Sequence, residues 1–412
     1  MTLYFHIDVN SAYLSWEAVS RLQHGDPLDL RLLPSAVGGD PKSRHGIILA
    51  KSIPAKKYGI KTGETLHEAL EKCPRLIIVP PDYSLYMQAS EAMHRILLEV
   101  SPYIQRFSID ESFLMIPEPD ADYGTIGHAL KTRIRRELGF TVNIGVSSNK
   151  LLAKMASDFS KPDALHTLFP QEIPRKMWPL PVEDLFMVGR ATRPKLKALG
   201  IHTIGDLAAT PKSYLVHHFK SHGAMLWEYA QGIESSTVHM DQSPWSKGVG
   251  NGTTLPRDID TPQDAFLYLL GLSESVALRL RLGKKLAQVV VIRLKSSEFK
   301  HYTHQRTLAA PTDETLVIYH HLQSLFMEAW RGESLRYLGV RLTGLRDPEP
   351  YQYTLFDSPA KESNRALDRQ IDTLRLRYGK DIIQRSVFLH KKVKPLIGGV
   401  SEEDYLMMSS IL

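Results

Sequence analysis

Alternating apolar and polar positions open the chain. Leu3, Phe5, Ile7 and Val9 fall on one face of an extended segment and Tyr4, His6 and Asp8 on the other, the pattern of a half-buried strand. Asp8 lies near the end of that strand, and a helical stretch opens at Asn10-Ser11 and runs to residue 22. In Phe107 to Ile116, apolar residues flank the adjacent acids Asp110 and Glu111, which predicts two short strands with the carboxylates at or near their junction. Leu85, Ala89, Met93, Ile96, Leu97 and Val100 recur at helical spacing over 84–100. Ile126, Leu130, Ile134 and Leu138 do the same over 124–138, ahead of a strand at Thr141 to Gly145. The order β-α-(insertion)-α-β-β-α-β predicts a ferredoxin-like α+β sheet, with residues 23–80 inserted as small strands and short helices.

Beyond it, Leu151, Leu152, Met155 and Phe159 form the apolar face of a helix, and from about residue 166 the chain reads as short helices and turns. Residues 229–250 show neither period and read as a linker. A second α+β unit follows. A strand begins between Asn251 and Leu255, a helix covers 262–283, strands cover Ala287 to Leu294 and His301 to Leu308, a helix covers Asp313 to Arg331, and a strand covers Leu335 to Leu342. After a linker at Arg346 to Pro350, Leu367, Ile371, Leu374 and Tyr378 mark one face of a further helix, and Ile382 to Leu389 reads as strand-like. The chain is therefore multidomain, which its 412 residues allow.

Composition narrows the class. With 43% hydrophobic and 23% charged residues and no apolar run of eighteen, the expectation is a soluble, cytoplasmic protein without a membrane partner. The first residues, with His6 and Asp8 among them, do not form a signal peptide. A single cysteine, Cys73, excludes a disulfide framework or a thiolate metal site and is expected to serve packing. A net charge of +6 permits a polyanionic partner without requiring one.

Candidate chemistry gathers at the acids. Two adjacent carboxylates in an apolar hairpin repel each other and pay desolvation, so unless they face water at a turn they need a cation. With Asp8, Asp110 and Glu111 they supply three hard oxygen donors on two strands, a set suited to Mg²⁺ shared with substrate phosphates. Taken alone, Tyr13 is a core residue one turn away, Lys150 and Lys154 are surface lysines or two cations on one side, and the second unit's Arg279, Arg281, Lys284, Lys285, Arg293, Lys295, Lys300 and Arg306 are a solvated face or a duplex-binding one.

Ile7-Asp8-Val9-Asn10-Ser11-Ala12-Tyr13 and Ser108-Ile109-Asp110-Glu111-Ser112-Phe113-Leu114, in that order and spacing, resemble the two palm motifs of Y-family translesion DNA polymerases. The resemblance covers roughly residues 1–356. It implies a palm at 1–22 and 81–165, fingers at 23–80, a helix-hairpin-helix thumb at 166–228, a linker at 229–250, a little finger at 251–345 and a tail at 346–412. It further implies low-fidelity, lesion-bypassing DNA synthesis from deoxynucleoside triphosphates on primer-template DNA, without a proofreading domain. Asp8 and Asp110 would bridge two Mg²⁺ ions, for which Mn²⁺ can substitute, Glu111 would help hold one of them and the Val9 carbonyl would add a backbone ligand. Tyr13 would be the steric gate that excludes a 2′-hydroxyl, and Lys161 would reach the triphosphate.

Three departures from the family pattern stand out. In Ser52 to Ile60, Ile53 replaces the usual Tyr and Lys56 the usual Arg, so a point charge replaces a bidentate fork on the triphosphate. Asp163-Ala164 replaces Asn-Gly after Lys161. Val188 to Ile201 resembles the helix-hairpin-helix, with Gly189, Arg190, Arg193 and Lys195 placed to grip DNA phosphates, but Ala191 takes the second glycine's place. In the little finger, Arg279, Lys284, Arg293 and Lys295 are the expected backbone contacts. Gln352-Tyr353-Thr354-Leu355-Phe356 is similar to a bacterial sliding-clamp binding peptide, with Gln352, Leu355 and Phe356 as its anchors, although residues 357–412 follow where that motif usually ends a chain. Two rivals are a nucleotide cyclase on the same kind of palm and a non-catalytic, clamp-tethered DNA-binding protein.

Overall fold

The computed structural model describes residues 2–39, 46–118, 122–238, 247–348, 359–379 and 381–389, with Val393 and Leu396; side chains are described from residue 363 in the last helix. Residues 2–39 and 47–238 lie in one compact unit and the described residues from 247 onward in a second. The peptide Gln352, Leu355 and Phe356 and the basic stretch Lys42 to His45 lie outside the described residues.

A five-stranded sheet organises the first unit, in the order Ile104–Arg106, Glu111–Ile116, Leu3–Val9, Val142–Ser147, Leu165–Thr167. The first strand is central and antiparallel to both neighbours. Helices Ala12–Gln23, Tyr83–Leu98 and Tyr123–Leu138 bury Trp16, Met93, Leu97, Leu130 and Ile134 with Phe5, Ile7 and Ile144 of the strands. Helix Lys150–Ser157 covers the first strand's other face, where His6 Nδ1 meets Ser157 Oγ at 2.7 Å. It sits close enough that a Cβ on Gly145 would fall 2.0 Å from the Ala153 carbonyl oxygen, so that position requires glycine. The expectation of a half-buried first strand is thereby corrected: His6 is 0% and Asp8 6% exposed, because the polar face is roofed too. The edge strand Leu165–Thr167, parallel to Val142–Ser147, was too short to leave a period.

The insertion forms a three-stranded sheet, Ser35–Gly38 between Ile48–Lys51 and Ile77–Val79, with helices Ile53–Lys57 and Leu66–Lys72. Cys73 is buried there among Ala36, Ile48, Ile60 and Leu66, as its packing role required. After the sheet come short helices, among them Arg193–Ala198, Ile204–Ala209, Lys212–Phe219 and Ser221–Ala230, whose core of Leu196, Ile204, Leu207 and Leu226 includes Leu151, Leu152 and Met155.

The second unit is an antiparallel sheet ordered His301–Thr312, Leu286–Ser296, Leu335–Arg346, Gly248–Ile259, with helices Pro262–Leu282 and Thr315–Ala329 sharing its core. Residues 229–250 are not linker throughout: one helix runs to Ala230 and a strand begins at Gly248. The reason is steric. Gly252 faces Tyr337, whose hydroxyl would lie 2.0 Å from an added Cβ, so this strand pairs through glycines that carry no hydrophobic period.

The final helix, Pro359–Tyr378, reverses its sequence reading. Leu367, Leu374 and Tyr378 on the apolar stripe are 58%, 40% and 57% exposed, while Asp368, Asp372 and Arg375 are buried. Beyond it, Ile382 to Leu389 is not a strand; it holds a short 3₁₀ turn, Ser386–Phe388, from which Phe388 packs on Leu270. Among the described residues no helix is long and apolar enough to cross a membrane.

Candidate active site

Register brings the acids together. Asp8 pairs directly with Glu111 across the two strands, and the Val9 amide donates to the Asp110 carbonyl at 3.0 Å. Asp110 sits in the turn between strands Ile104–Arg106 and Glu111–Ile116, where Phe107 and Ser108 amides both donate to the Glu111 carbonyl, at 2.9 and 3.1 Å. The Ser108 hydroxyl donates to Asp110 Oδ1 at 2.6 Å and orients that carboxylate. Thus the paired acids do lie at a strand junction, half-buried rather than in open water.

Two lysines stand against them. The Lys161 ammonium donates to Asp8 Oδ2 and lies 2.8 Å from Asp158. The Lys154 ammonium is 2.9 Å from Glu111 Oε1, with the Phe107 and Phe186 rings at 5.3 and 5.6 Å. Lys150 and Lys154 are buried, 7% and 8% exposed, so the surface-lysine reading fails for both. Lys150 donates to Gln105 and to the Thr237 carbonyl.

Burial sets the electrostatics. It pushes the Asp8 carboxyl up to about 6, against the nearby Lys161 charge and with help from Glu111 and Asp110. Burial also raises Glu111, opposed by Lys154 and reinforced by Asp110 and Asp158. For Lys161, burial works against the ammonium, but Asp8 and Asp158 outweigh it and hold the group above its ordinary range. His6, wholly buried and facing the Lys154 and Lys161 charges, is held well below the usual imidazole range. Its Nε2 has no hydrogen-bond partner and lies 3.9 Å from Glu111 Oε2.

Among the described residues no group of three His, Cys, Asp or Glu residues is gathered in ligating geometry; the Lys154 and Lys161 ammoniums stand against Glu111 and Asp8. The donor set nevertheless fits a hard divalent cation, because hard oxygen donors crowd a site where burial disfavours their charge and only monovalent lysines oppose it. The Val9 carbonyl is at the same strand end.

Asn10 and Asn143 were not foreseen. Asn10 Oδ1 accepts from the Asp163 amide at 2.8 Å, and Asn143 Nδ2 donates to the Ser160 carbonyl at 2.6 Å, so together they anchor the segment that carries Lys161. Asp163 adopts a φ of 55°, a conformation that Asp and Asn both tolerate, so the exchange at this turn is accommodated. Lys51 was also missed. Its ammonium is held low by burial and then by the Lys56 charge, so the two lysines present one positive patch on the insertion, with Lys56 itself exposed.

Tyr13 is half-buried. Its ring stacks on Tyr86 at 4.4 Å and 9° and meets Tyr83 edge-on. In the helical region Gly189, Arg190, Arg193 and Lys195 are all exposed around the start of helix Arg193–Ala198, with Arg193 3.7 Å from Glu183.

In the second unit the basic residues divide. Arg281 is bound to Asp368 and Asp372, Lys285 to Asp347, Lys300 to Glu298 and Arg306 to Glu328, while Arg279 donates to the Gly250 carbonyl. Lys284 and Arg293 are exposed, and Lys295 lies over the Phe299 ring at 4.4 Å. Arg341 was missed: it pairs in register with Val291, beside Arg293, and its strand and the two at 286–296 and 301–312 contain no acid.

A sequence profile described as the impB/mucB/samB family matches residues 7–158, that family's C-terminal domain matches 246–355, and the IMS family HHH motif matches 170–201. The chain is 44% identical over 392 residues to a DNA polymerase IV of Clostridium acetobutylicum, covering 95% of this chain and 99% of that one. To DNA polymerase IV 1 of Bacillus subtilis it is 32% identical over 405 residues, covering 97% and 96%. Among solved structures, a Y-family DNA polymerase chimera matches with a TM-score of 0.72 at 20% identity, covering 84% of this chain and 100% of its own, a likeness of fold.

Proposed function

The chain belongs to the impB/mucB/samB family of Y-family DNA polymerases, and on that premise we propose that its palm acids carry out metal-dependent, template-directed synthesis. The protein is a translesion DNA polymerase, a nucleotidyltransferase that acts on DNA and nucleotides and uses divalent metal ions. The observation that carries the site assignment is the register pairing of Asp8 with Glu111, with Asp110 next to Glu111 in the turn that joins Ile104–Arg106 to Glu111–Ile116 and its carbonyl bonded by the Val9 amide.

Asp8, Asp110, Glu111 and the Val9 carbonyl would hold two Mg²⁺ ions, or Mn²⁺ in their place. When bound, these supply the charge that activates the primer hydroxyl and stabilises the transferring phosphoryl group. Lys161, whose ammonium donates to Asp8, would reach the triphosphate from the same side of the site. Lys56, with Lys51 beside it, steadies the outer phosphates from the fingers as a point charge. Tyr13 lies beneath the incoming sugar and excludes a 2′-hydroxyl.

Gly189, Arg190, Arg193 and Lys195 hold the duplex backbone from the thumb, and Lys284, Arg293, Lys295 and Arg341 from the little finger. Arg279 completes that set from the end of its helix. Such contacts set affinity rather than sequence preference, which suits an enzyme that must accept any template. We place the reaction in the cytoplasm. A sliding clamp is the further partner, engaged through Gln352, Leu355 and Phe356.

Primer extension with Mg²⁺ on undamaged and abasic templates tests this reading. It predicts nucleotide addition on both; a cyclic nucleotide product, or no addition on either, overturns it. Replacing Leu355 and Phe356 by alanine should lower clamp-stimulated synthesis and leave clamp-free extension unchanged. If both fall together, the clamp assignment is wrong.

A further inference from the structure

Tyr13 does not stand alone. Its ring lies flat on that of Tyr86, centroids 4.4 Å apart and planes within 9°, and Tyr86 is itself 0% exposed. Trp16 packs against the same ring at 5.8 Å and is closed off edge-on by Phe140. The Tyr86 hydroxyl donates to Glu17 Oε1 at 2.8 Å. Glu17 follows Tyr13 by one helical turn, and its carboxylate, 8% exposed, also accepts from the Asp82 amide at 3.3 Å and lies 3.6 Å from Arg21 Nε. Asp82 caps helix Tyr83–Leu98, on which Tyr86 sits. One buried carboxylate therefore ties the helix that carries Tyr13 to the helix that carries the plate behind it.

Steric exclusion depends on a wall that does not recede. A ring backed only by other mobile side chains could shift by about 1 Å, a displacement large enough to change rates by orders of magnitude at a reacting centre. A stacked partner removes that freedom, and a hydrogen bond to a buried acceptor fixes the partner in turn. We propose that Glu17 and Tyr86 are positioning residues that set the enzyme's choice between deoxyribonucleotides and ribonucleotides by holding Tyr13 at a fixed depth. This rests on the reading of Tyr13 as the steric gate.

The test compares single-nucleotide insertion of a ribonucleotide and the matching deoxyribonucleotide by the full chain, with kcat and KM resolved and melting temperature recorded for every variant. Tyr86→Leu should raise the ribonucleotide to deoxyribonucleotide ratio of kcat/KM by roughly tenfold or more, the scale of a lost pocket wall. Tyr86→Phe keeps the stacked ring and should shift the ratio less, as should Glu17→Ala, while Glu17→Gln, which retains an acceptor oxygen, should restore it. Tyr86→Leu in a Tyr13→Ala background should add little, because the gate it positions is gone. If Tyr86→Leu and Tyr86→Phe change both sugars' efficiencies equally, the pair is merely structural and the proposal is overturned. If Tyr13→Ala relaxes discrimination and the Tyr86 variants do not, this inference falls and the gate stands. If Tyr13→Ala itself has no effect, both fall.

Discussion

Two clusters of charge in this protein are built on opposite plans. At the palm, Asp8, Glu111 and Asp158 face two lysines, Lys154 and Lys161, and the carboxyls of Asp8 and Glu111 remain displaced upward. Under the tail helix, arginines meet acids one against the next. Arg281 holds Asp372 with Nε at 2.5 Å and a second nitrogen at 2.9 Å, and reaches Asp368 at 3.2 Å. Glu274 receives Arg385 at 2.8 Å and Arg375 at 3.3 Å, and Arg365 lies 3.0 Å from Asp313. Asp368 also accepts from the Thr315 amide at 2.9 Å, satisfying a helix start whose own N-cap side chain makes no such bond. Lysine is a compact charge on a flexible stem, while the arginine fork locks geometry. The palm carboxylates meet single-point lysine charges, and the tail carboxylates meet arginine forks.

The comparison can be broken most severely at the tail. A chain ending at residue 358 strips Arg281 and Glu274 of those partners and of the Phe388 packing on Leu270, and losing one buried ion pair alone costs up to about 3–5 kcal/mol. Denaturant unfolding should show the second unit's transition shifted to much lower denaturant; an unchanged midpoint would mean that the tail contributes nothing to it. The single change Asp372→Ala should give a loss of the same kind, about 3 kcal/mol, with the first unit unaffected.

A pH series sharpens the palm side. Asp8 titrates in the folded protein at about 6, above the 3.8 of a free aspartate. Without metal, its ionisation therefore opposes folding, so the Asp8 contribution to stability is largest below 3.8 and is lost as pH rises through about 6. A divalent cation needs the carboxylate, so Mn²⁺ affinity measured by paramagnetic resonance should weaken as pH falls below about 6, and affinity flat between pH 5 and 7 would contradict the burial argument. The smallest effect concerns the outward face of the tail helix. Leu374→Ser should change stability by less than about 0.5 kcal/mol, because that helix docks through its charges; a loss above about 2 kcal/mol would show that the apolar stripe is covered.

Legibility followed the strength of the local period. The helices at 83–98 and 123–138 were readable because each buries one regular face, and the first strand because its apolar residues alternate, although its polar face is buried as well. The paired carboxylates were readable as chemistry because nothing but a cation or water makes them stable. Three things were not. The start of the strand Gly248–Ile259 carries glycines where Tyr337 crosses, so its first residues left no side-chain pattern and were read as linker. The orientation of the tail helix could not be read from its own sequence, since Leu367 and Leu374 look like a core face until Arg281 and Glu274 from residues far away claim the other side. Lys154 looked like a surface lysine because its partner Glu111 lies 43 positions earlier in the chain and reaches it only through the sheet.

If Asp8, Asp110 and Glu111 hold the metal used in synthesis, Asp110→Ala is the decisive variant. Primer extension and primer-template affinity are measured on the same preparation, the second by fluorescence anisotropy. The account predicts that extension is abolished while affinity stays within about twofold of the parent, because phosphate contacts elsewhere supply binding. Extension at near the parent rate with Asp110 removed would contradict it.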